Sequence, residues 1–354
     1  MAAEAPRKIV LNRICHAYYK YKDMDKAVQW FHDFGFTEEK RVNGDEKIYF
    51  RGYGTAPWVV CAVKADRDEF AGVGYVVESE DELRYAAETL PKATKIYELE
   101  DAPGKGKCVT FYDPVDNFPF HLVYGQEETG VLEIPLPQEP INYVSLYPCQ
   151  PPSLSRIAAA PLVLRRDASD RPFEKNRPKN HFQRFQKRPA PVHKLGHWGH
   201  CSTNYAKDYE FYTTRFNLIA SDLVHDEAGT DITCFLRLDR GKEPVDHHCF
   251  FFYQARLLGP KFHVHHTSYE THDFDTQVLG HDWLREKGYK NCWGVGRHVL
   301  GSQIFDYWFD PTGNIMEHYV DGDLVDDTQP PHRSKASPDS LHVWGPDVPG
   351  DFLE

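Results

Sequence analysis

Along the chain, apolar positions alternate between the two-residue rhythm of strands and the wider spacing of helices, and the pattern is written twice. ICHAYYKYKDMDKAVQWFHDFGF (14–36) opens as a short strand carrying a histidine and continues as a helix with Ala27, Trp30, Phe31 and Phe34 at helical spacing. LGHWGHCSTNYAKDYEFYTTRFNL (195–218) does the same with Tyr205, Tyr209, Tyr212 and Phe216. His16 stands fifteen residues before Phe31, and His197 fifteen before Tyr212. A second pair follows. EFAGVGYVVESEDELRYAAETL (69–90) matches KFHVHHTSYETHDFDTQVLG (261–280), and FYDPVDNFPFHLVYG (111–125) matches WFDPTGNIMEHYVDG (308–322). In both members of the last pair an Asp-Pro opens the turn between two strands. The repeat predicts an α+β chain of four βαβββ modules, paired into two incomplete-barrel domains.

The expected domains are 1–147, then a Pro-, Arg- and Lys-rich linker over 148–193, a second domain over 194–325 and an irregular tail over 326–354. The linker reads as an extended surface segment, with a basic arm that binds a neighbouring subunit or guides anionic substrates as the sharper alternative. Leu341, Val343 and Trp344 are the residues that would dock the tail onto the body.

Composition narrows the function. The chain has 354 residues and a formal charge of −12, so nothing general points to nucleic acid or an anionic membrane as partner. It holds no apolar run of about 18 residues, and its start lacks a secretory core, so an intracellular, cytoplasmic protein is expected. The eight cysteines are scattered without a CxxC pair and read as buried thiols. Histidine, with nineteen copies, is the unusual residue.

Aligning the two halves sets His197, His266 and Glu317 opposite His16, Gly74 and Phe120. Two imidazoles and a carboxylate can hold a divalent ion on one face and leave positions open, the arrangement typical of Fe(II). The first half cannot build that set, and His16 reads as a hydrogen-bonded structural residue. Neighbours compete for each role. His193 shares the parity of His197 but precedes the strand, His200 points to the opposite face, and so does His265 relative to His266. His318 beside Glu317 carries the same ambiguity.

These residues resemble the type I extradiol ring-cleaving dioxygenases of the vicinal oxygen chelate superfamily, the group of the catechol 2,3-dioxygenases. The signature of that family joins a Gly-x-His, an aromatic strand ending in Tyr, an Asp-Pro-x-Gly turn and a Glu. This chain has Gly296, His298, Tyr307, Asp310, Pro311, Gly313 and Glu317 at matching intervals. HVHHTSYE and LGHWGHCS also match, with the second histidine of the former pair as ligand. Asp306 departs from the aliphatic or Phe residue usual before the Tyr, which should change packing and not the site, since strand neighbours face opposite ways.

The resemblance implies a vicinal oxygen chelate fold and metal ligands His197, His266 and Glu317. It implies Fe(II), with Mn(II) accepted by the same donors, and cleavage of a catechol by O2 to a muconic semialdehyde. His248 is the implied acid/base, with His247 as substitute, and His298 and Tyr307 would hydrogen-bond the substrate. Phe250, Phe251 and Phe252 read as core strand, although one could line the ring pocket. A homo-oligomer is expected, and no organic cofactor. The rival readings are a 4-hydroxyphenylpyruvate dioxygenase-like or glyoxalase-like enzyme, and a protein that binds an aromatic compound without turnover.

Overall fold

The computed structural model describes residues 7–134, 182, 185–255, 263–337 and 341–352. Most of the linker 148–193 lies outside the described residues, and so does Cys149. Each helix begins where a short polar side chain can close its first turn. Asp23 accepts from the Lys26 amide ahead of α1 (Met24–Phe34), which follows β1 (Leu11–Tyr21). Gly35, at φ +111°, ends α1 in the left-handed conformation that releases the chain toward the next strand. Then come β2 (Thr37–Val42), β3 (Lys47–Arg51), β4 (Val60–Lys64), β5 (Glu69–Val77), α2 (Glu80–Thr89), β6 (Tyr97–Glu98), β7 (Lys107–Tyr112) and β8 (Pro119–Tyr124).

The second half repeats the order. It runs β9 (Leu195–Ser202), α3 (Tyr205–Arg215), β10 (Leu218–His225), β11 (Asp231–Leu238), β12 (Val245–Asp246), β13 (Phe250–Gln254), β14 (His263–Glu270), α4 (Phe274–Glu286), β15 (Asn291–Arg297), β16 (Ile304–Phe309) and β17 (Ile315–Val320). Two short strands, β18 (Leu324–Val325) and β19 (His332–Lys335), belong to the tail.

The sheets prove the duplication. The first is ordered β2-β3-β4-β1-β5-β8-β7-β6, and the second, read from its β10 end, β10-β11-β13-β9-β14-β17-β16-β15, with β19 added outside β10. Pairings repeat too: β1 with β4 and β9 with β13 are parallel, whereas β1 with β5 and β9 with β14 are antiparallel. This is the α+β arrangement of four βαβββ modules expected from the sequence. Each Asp-Pro turn is closed by its aspartate: Asp113 Oδ1 accepts from the amides of Val115 and Asp116, and Asp310 Oδ1 from those of Thr312 and Asn314.

Both sheets have a face that carries the helices and a concave face. The helix-bearing faces share one aromatic core, in which Trp198 Nε1 donates to the Tyr75 hydroxyl at 2.8 Å and Tyr21 donates to Asp310 at 2.9 Å. Phe250 and Phe252 belong to that core, as expected for β13. Seven cysteines are buried thiols outside any disulfide among the described residues, and no helix of those residues is long and apolar enough to cross a membrane.

Candidate functional site

Strand alternation decides which histidines can meet. On β9, His197 faces the concave side, while Trp198 and His200 turn to the helix side, where His200 Nε2 lies 3.4 Å from Asp208 of α3. His193 stays outside the strand, its Nδ1 at 3.3 Å from Glu270. On β17, Glu317 turns inward and His318 outward, its Nε2 donating to the Phe34 carbonyl at 2.7 Å. On β14 simple parity fails. The register against β9 shifts between Val264 and His266, and His265 lines the same cavity as His266. The expectation that His265 points away is therefore corrected; the irregularity breaks the alternation.

Three donor atoms converge on the concave face. Glu317 Oε2 lies 3.1 Å from His197 Nε2 and 3.4 Å from His266 Nε2, and the two nitrogens are 3.2 Å apart. Donors held about 2.1 Å from one ion at right angles stand about 3.0 Å apart, so this triangle fits a shared metal ion. The carboxylate is wholly buried and neither oxygen has a good hydrogen-bond partner among the described residues, which is costly unless a cation compensates it. Burial pushes the Glu317 carboxyl up, but His197 and His266 override burial and hold it well below the usual carboxylate range.

Two adjacent-histidine pairs are wired alike. His265 Nε2 donates to the Phe352 carbonyl at 2.6 Å, so its Nδ1 accepts from His266 Nδ1 at 2.7 Å, and the His266 Nε2 lone pair is left for the Glu317 corner. His247 Nε2 donates to Asp222 at 2.7 Å, its Nδ1 accepts from His248 Nδ1 at 3.1 Å, and the His248 ring lies 4.2 Å from that of His197. Of the pair, His248 lines the cavity and His247 stands behind it. Burial, joined by His197, His247, His266 and His298, keeps the His248 imidazole well below its ordinary value and so neutral.

His298 and Tyr307 are coupled. His298 Nδ1 donates to the Leu341 carbonyl at 2.7 Å, so its Nε2 accepts the Tyr307 hydroxyl proton at 2.8 Å. The Tyr307 oxygen then keeps a lone pair for an incoming hydroxyl. Burial lowers His298 to about 4 against the pull of Glu317, and burial with Glu317 raises Tyr307. Asp306, beside Tyr307, faces the helix side, accepting from His281 at 2.9 Å and Trp308 at 2.7 Å, so it changes packing as expected.

His197, His248, His265, His266, His298 and Tyr307 line a cavity of about 450 Å³. Its remaining wall is mainly apolar and includes Val224, Ile232, Phe235, Phe251, Leu300, Leu341, Val348 and Phe352. Phe251, unlike its two neighbours, leans over Gly199, where a Cβ would come within 2.2 Å of the ring. Phe352 was not foreseen: the tail folds back and sets its ring 4.7 Å from that of Tyr307. Tail docking runs through Leu341 and Phe352 side chains and through backbone bonds of Val343 and Trp344 to Arg297, while the Val343 and Trp344 side chains stay exposed.

The first half differs from expectation. Strand register aligns His16–Gly74–His121 with His197–Ser268–Glu317, so Gly74 is the counterpart of Ser268, and His121 that of Glu317. Gly72, two residues earlier than Gly74, stands where His266 stands. Phe120 is on the helix side, packed against Trp198 and Tyr212. The sequence alignment slipped because the first-half Asp-Pro turn is one residue longer: the Asp113 amide donates to the Phe118 carbonyl, whereas the Asp310 amide donates to that of Asn314. His16 is stacked on Trp58 at 3.6 Å, and neither ring nitrogen has a hydrogen-bond partner among the described residues, which corrects the hydrogen-bonded reading.

No family model matches the chain. One segment of 145 residues is 33% identical to metapyrocatechase 2 of Cupriavidus necator, covering 41% of this chain and 42% of that protein. The match thus spans less than half the length of that relative. Similar folds are wider. Homoprotocatechuate 2,3-dioxygenase of Brevibacterium fuscum, in complex with 3,4-dihydroxyphenylacetate, has a TM-score of 0.72 at 14% identity, over 99% of this chain and 95% of that one. The Mn(II)-bound glyoxalase of Novosphingobium aromaticivorans reaches 0.71 at 19% identity, over 96% and 93%. The homoprotocatechuate 2,3-dioxygenase of Arthrobacter globiformis reaches 0.70 at 17% identity, over 100% and 93%. The chain has the vicinal oxygen chelate fold, in the company of extradiol dioxygenases and a glyoxalase.

Proposed function

We propose that this chain is an extradiol dioxygenase that opens a catechol ring with O2 at an Fe(II) site held by His197, His266 and Glu317, with Mn(II) accepted by the same donors. One observation carries the reading: a buried His–His–Glu triangle has its two histidines in the lining of a mainly apolar cavity whose wall also presents His248 and Tyr307. When bound, the metal would supply the Lewis acidity that favours the deprotonated catechol and the electron exchange that lets dioxygen react. His248, neutral and bare at Nε2, takes the proton of one hydroxyl and later returns it to oxygen. Tyr307 receives the other hydroxyl, and its bond to His298 keeps its own proton turned away from the substrate. Phe251 and Phe352 both line the space for the ring and help to exclude water.

The wall also supports a substrate class. Among the described residues that line the cavity there is no lysine or arginine, so a carboxylated catechol would leave its charge unpaired. Catechols with an uncharged, apolar substituent fit better. The test combines metal analysis of the purified protein with anaerobic addition of a panel of catechols, followed by oxygen. Metal near stoichiometry, a yellow ring-fission product, and a kcat/KM at least about 10-fold higher for alkyl- or aryl-catechols than for carboxylated ones are expected. No product from any catechol ends the dioxygenase reading, and turnover of a hemithioacetal instead would favour glyoxalase chemistry. A preference for carboxylated catechols would end the substrate assignment alone.

A further inference from the structure

Behind His248 the chain continues as an unbroken run of hydrogen bonds that the ring-cleavage signature does not include. His248 Nδ1 donates to His247 Nδ1 at 3.1 Å, His247 Nε2 donates to Asp222 Oδ2 at 2.7 Å, and Asp222 Oδ1 accepts from His332 Nδ1 at 2.7 Å. Asp222 and His247 are buried, whereas the His332 side chain, on the tail strand β19 beside β10, is 61% exposed. The carboxylate reaches this place because the β10–β11 register shifts between Ala220 and Asp222. Ser221, in the same irregularity, donates to the His247 carbonyl at 2.6 Å and is held by Arg237 at 3.0 Å.

We propose that Asp222 and His247 are positioning residues that fix the reactive face of His248 and hold a proton for it while the substrate reacts. This rests on the extradiol reading and on His248 as its acid/base. The balance closes without any outside reagent. One proton leaves the substrate hydroxyl for His248 Nε2, and the His248 Nδ1 proton moves to His247 Nδ1. The substrate gains one negative charge, and His247 becomes a cation against the Asp222 carboxylate. Reversing both transfers returns the proton to an oxygen of the reacting substrate.

The second histidine pair has the same tautomers: His265 Nε2 donates to the Phe352 carbonyl where His247 Nε2 donates to the Asp222 carboxylate. A carboxylate at that place compensates an imidazolium directly, which suits a mobile proton. The first half offers an internal control. Register places Lys40, Pro57 and Trp58 where Asp222, His247 and His248 stand, so all three members of the run are absent together in the half that lacks the His–His–Glu set.

The experiment uses the metal-loaded protein and the best catechol of the panel. Asp222→Asn and His247→Gln should each keep metal content and anaerobic catechol affinity within about 3-fold of wild type, while kcat falls about 10- to 100-fold. Asp222→Glu should recover part of the lost kcat, and His332→Ala should cost only a few-fold. Wild-type kcat in Asp222→Asn, with the parent active, overturns the proton-holding pair and leaves the dioxygenase reading intact. Loss of metal or of catechol binding in step with kcat, with no recovery in Asp222→Glu, also overturns it, since the residues would then only support the fold. An inactive wild type strikes the dioxygenase reading itself.

Discussion

The two concave faces of this molecule have the same strands in the same order, and one of them is full. In the second half, His197, His266 and His248 border open space, with Glu317 buried against the first two. In the first, Trp58 occupies the position of His248 and lies flat on His16 at 3.6 Å. Gly72 closes the place of His266: at φ +112°, a side chain there would be strained, and a Cβ would meet the Pro119 oxygen at 2.5 Å. His121, in the row of Glu317, spends both nitrogens on Thr110 and the Ala71 carbonyl. The fold therefore supplies a cup, and three or four substitutions decide whether it is a site or a core. In one copy the cup is packed, and in the other it is open.

The largest effect should come from the row that differs most. Glu317→Ala should bring bound metal to background and abolish turnover, because only two imidazole donors remain where three donors converged. His121→Ala, in the same row of the other half, should leave metal content and turnover unchanged and lower stability by about 1–2 kcal/mol through two lost hydrogen bonds. Metal analysis with oxygen-uptake assays decides both. Metal lost from His121→Ala would mean that the filled half also contributes a donor.

Next comes the position that separates the proposed acid/base from a plug. His248→Ala should retain metal and lose about 10²- to 10⁴-fold in turnover. Trp58→Ala should do the reverse, costing about 3–5 kcal/mol of stability with turnover preserved, because it opens a void in a packed face. Denaturant melts alongside steady-state kinetics separate the two outcomes. Equal losses of activity in both variants would break the comparison.

Much of the fold was legible in the sequence. The helix faces around Trp30 and Tyr212, the Asp-Pro turns and the spacing from His298 to Glu317 are all local patterns, and local patterns survive folding. Register is not local. Whether His265 shares a face with His266 depends on a shift against β9, and whether Phe120 or His121 matches Glu317 depends on pairing between β5 and β8. The tail was harder still. Phe352 reaches the cavity across 34 residues of weak pattern after His318, and its carbonyl orients His265 through backbone geometry that no side-chain motif encodes. Asp222 lay in an unremarked strand, and its inward turn comes from an irregularity that composition does not announce.

The helix sides of the two sheets also differ, and there the smallest effect is expected. Asp306 is fully buried on β16, where register places Val109 in the first half, and it carries the bond to His281. That bond raises the His281 imidazole above its ordinary value, against the opposing effect of burial. A folded-state value above the unfolded one, about 6.5, means that the contribution is complete below pH 6.5 and is lost as pH rises through the raised value. His281→Asn should therefore cost about 1 kcal/mol near pH 5.5 and less near pH 8.5, toward which the imidazolium contribution declines. Thermal melts of parent and variant at the two pH values measure the difference directly. A gap that grows toward high pH would show that the Asp306 pocket does not favour the imidazolium, and that its polar replacement of Val109 serves Trp308 alone.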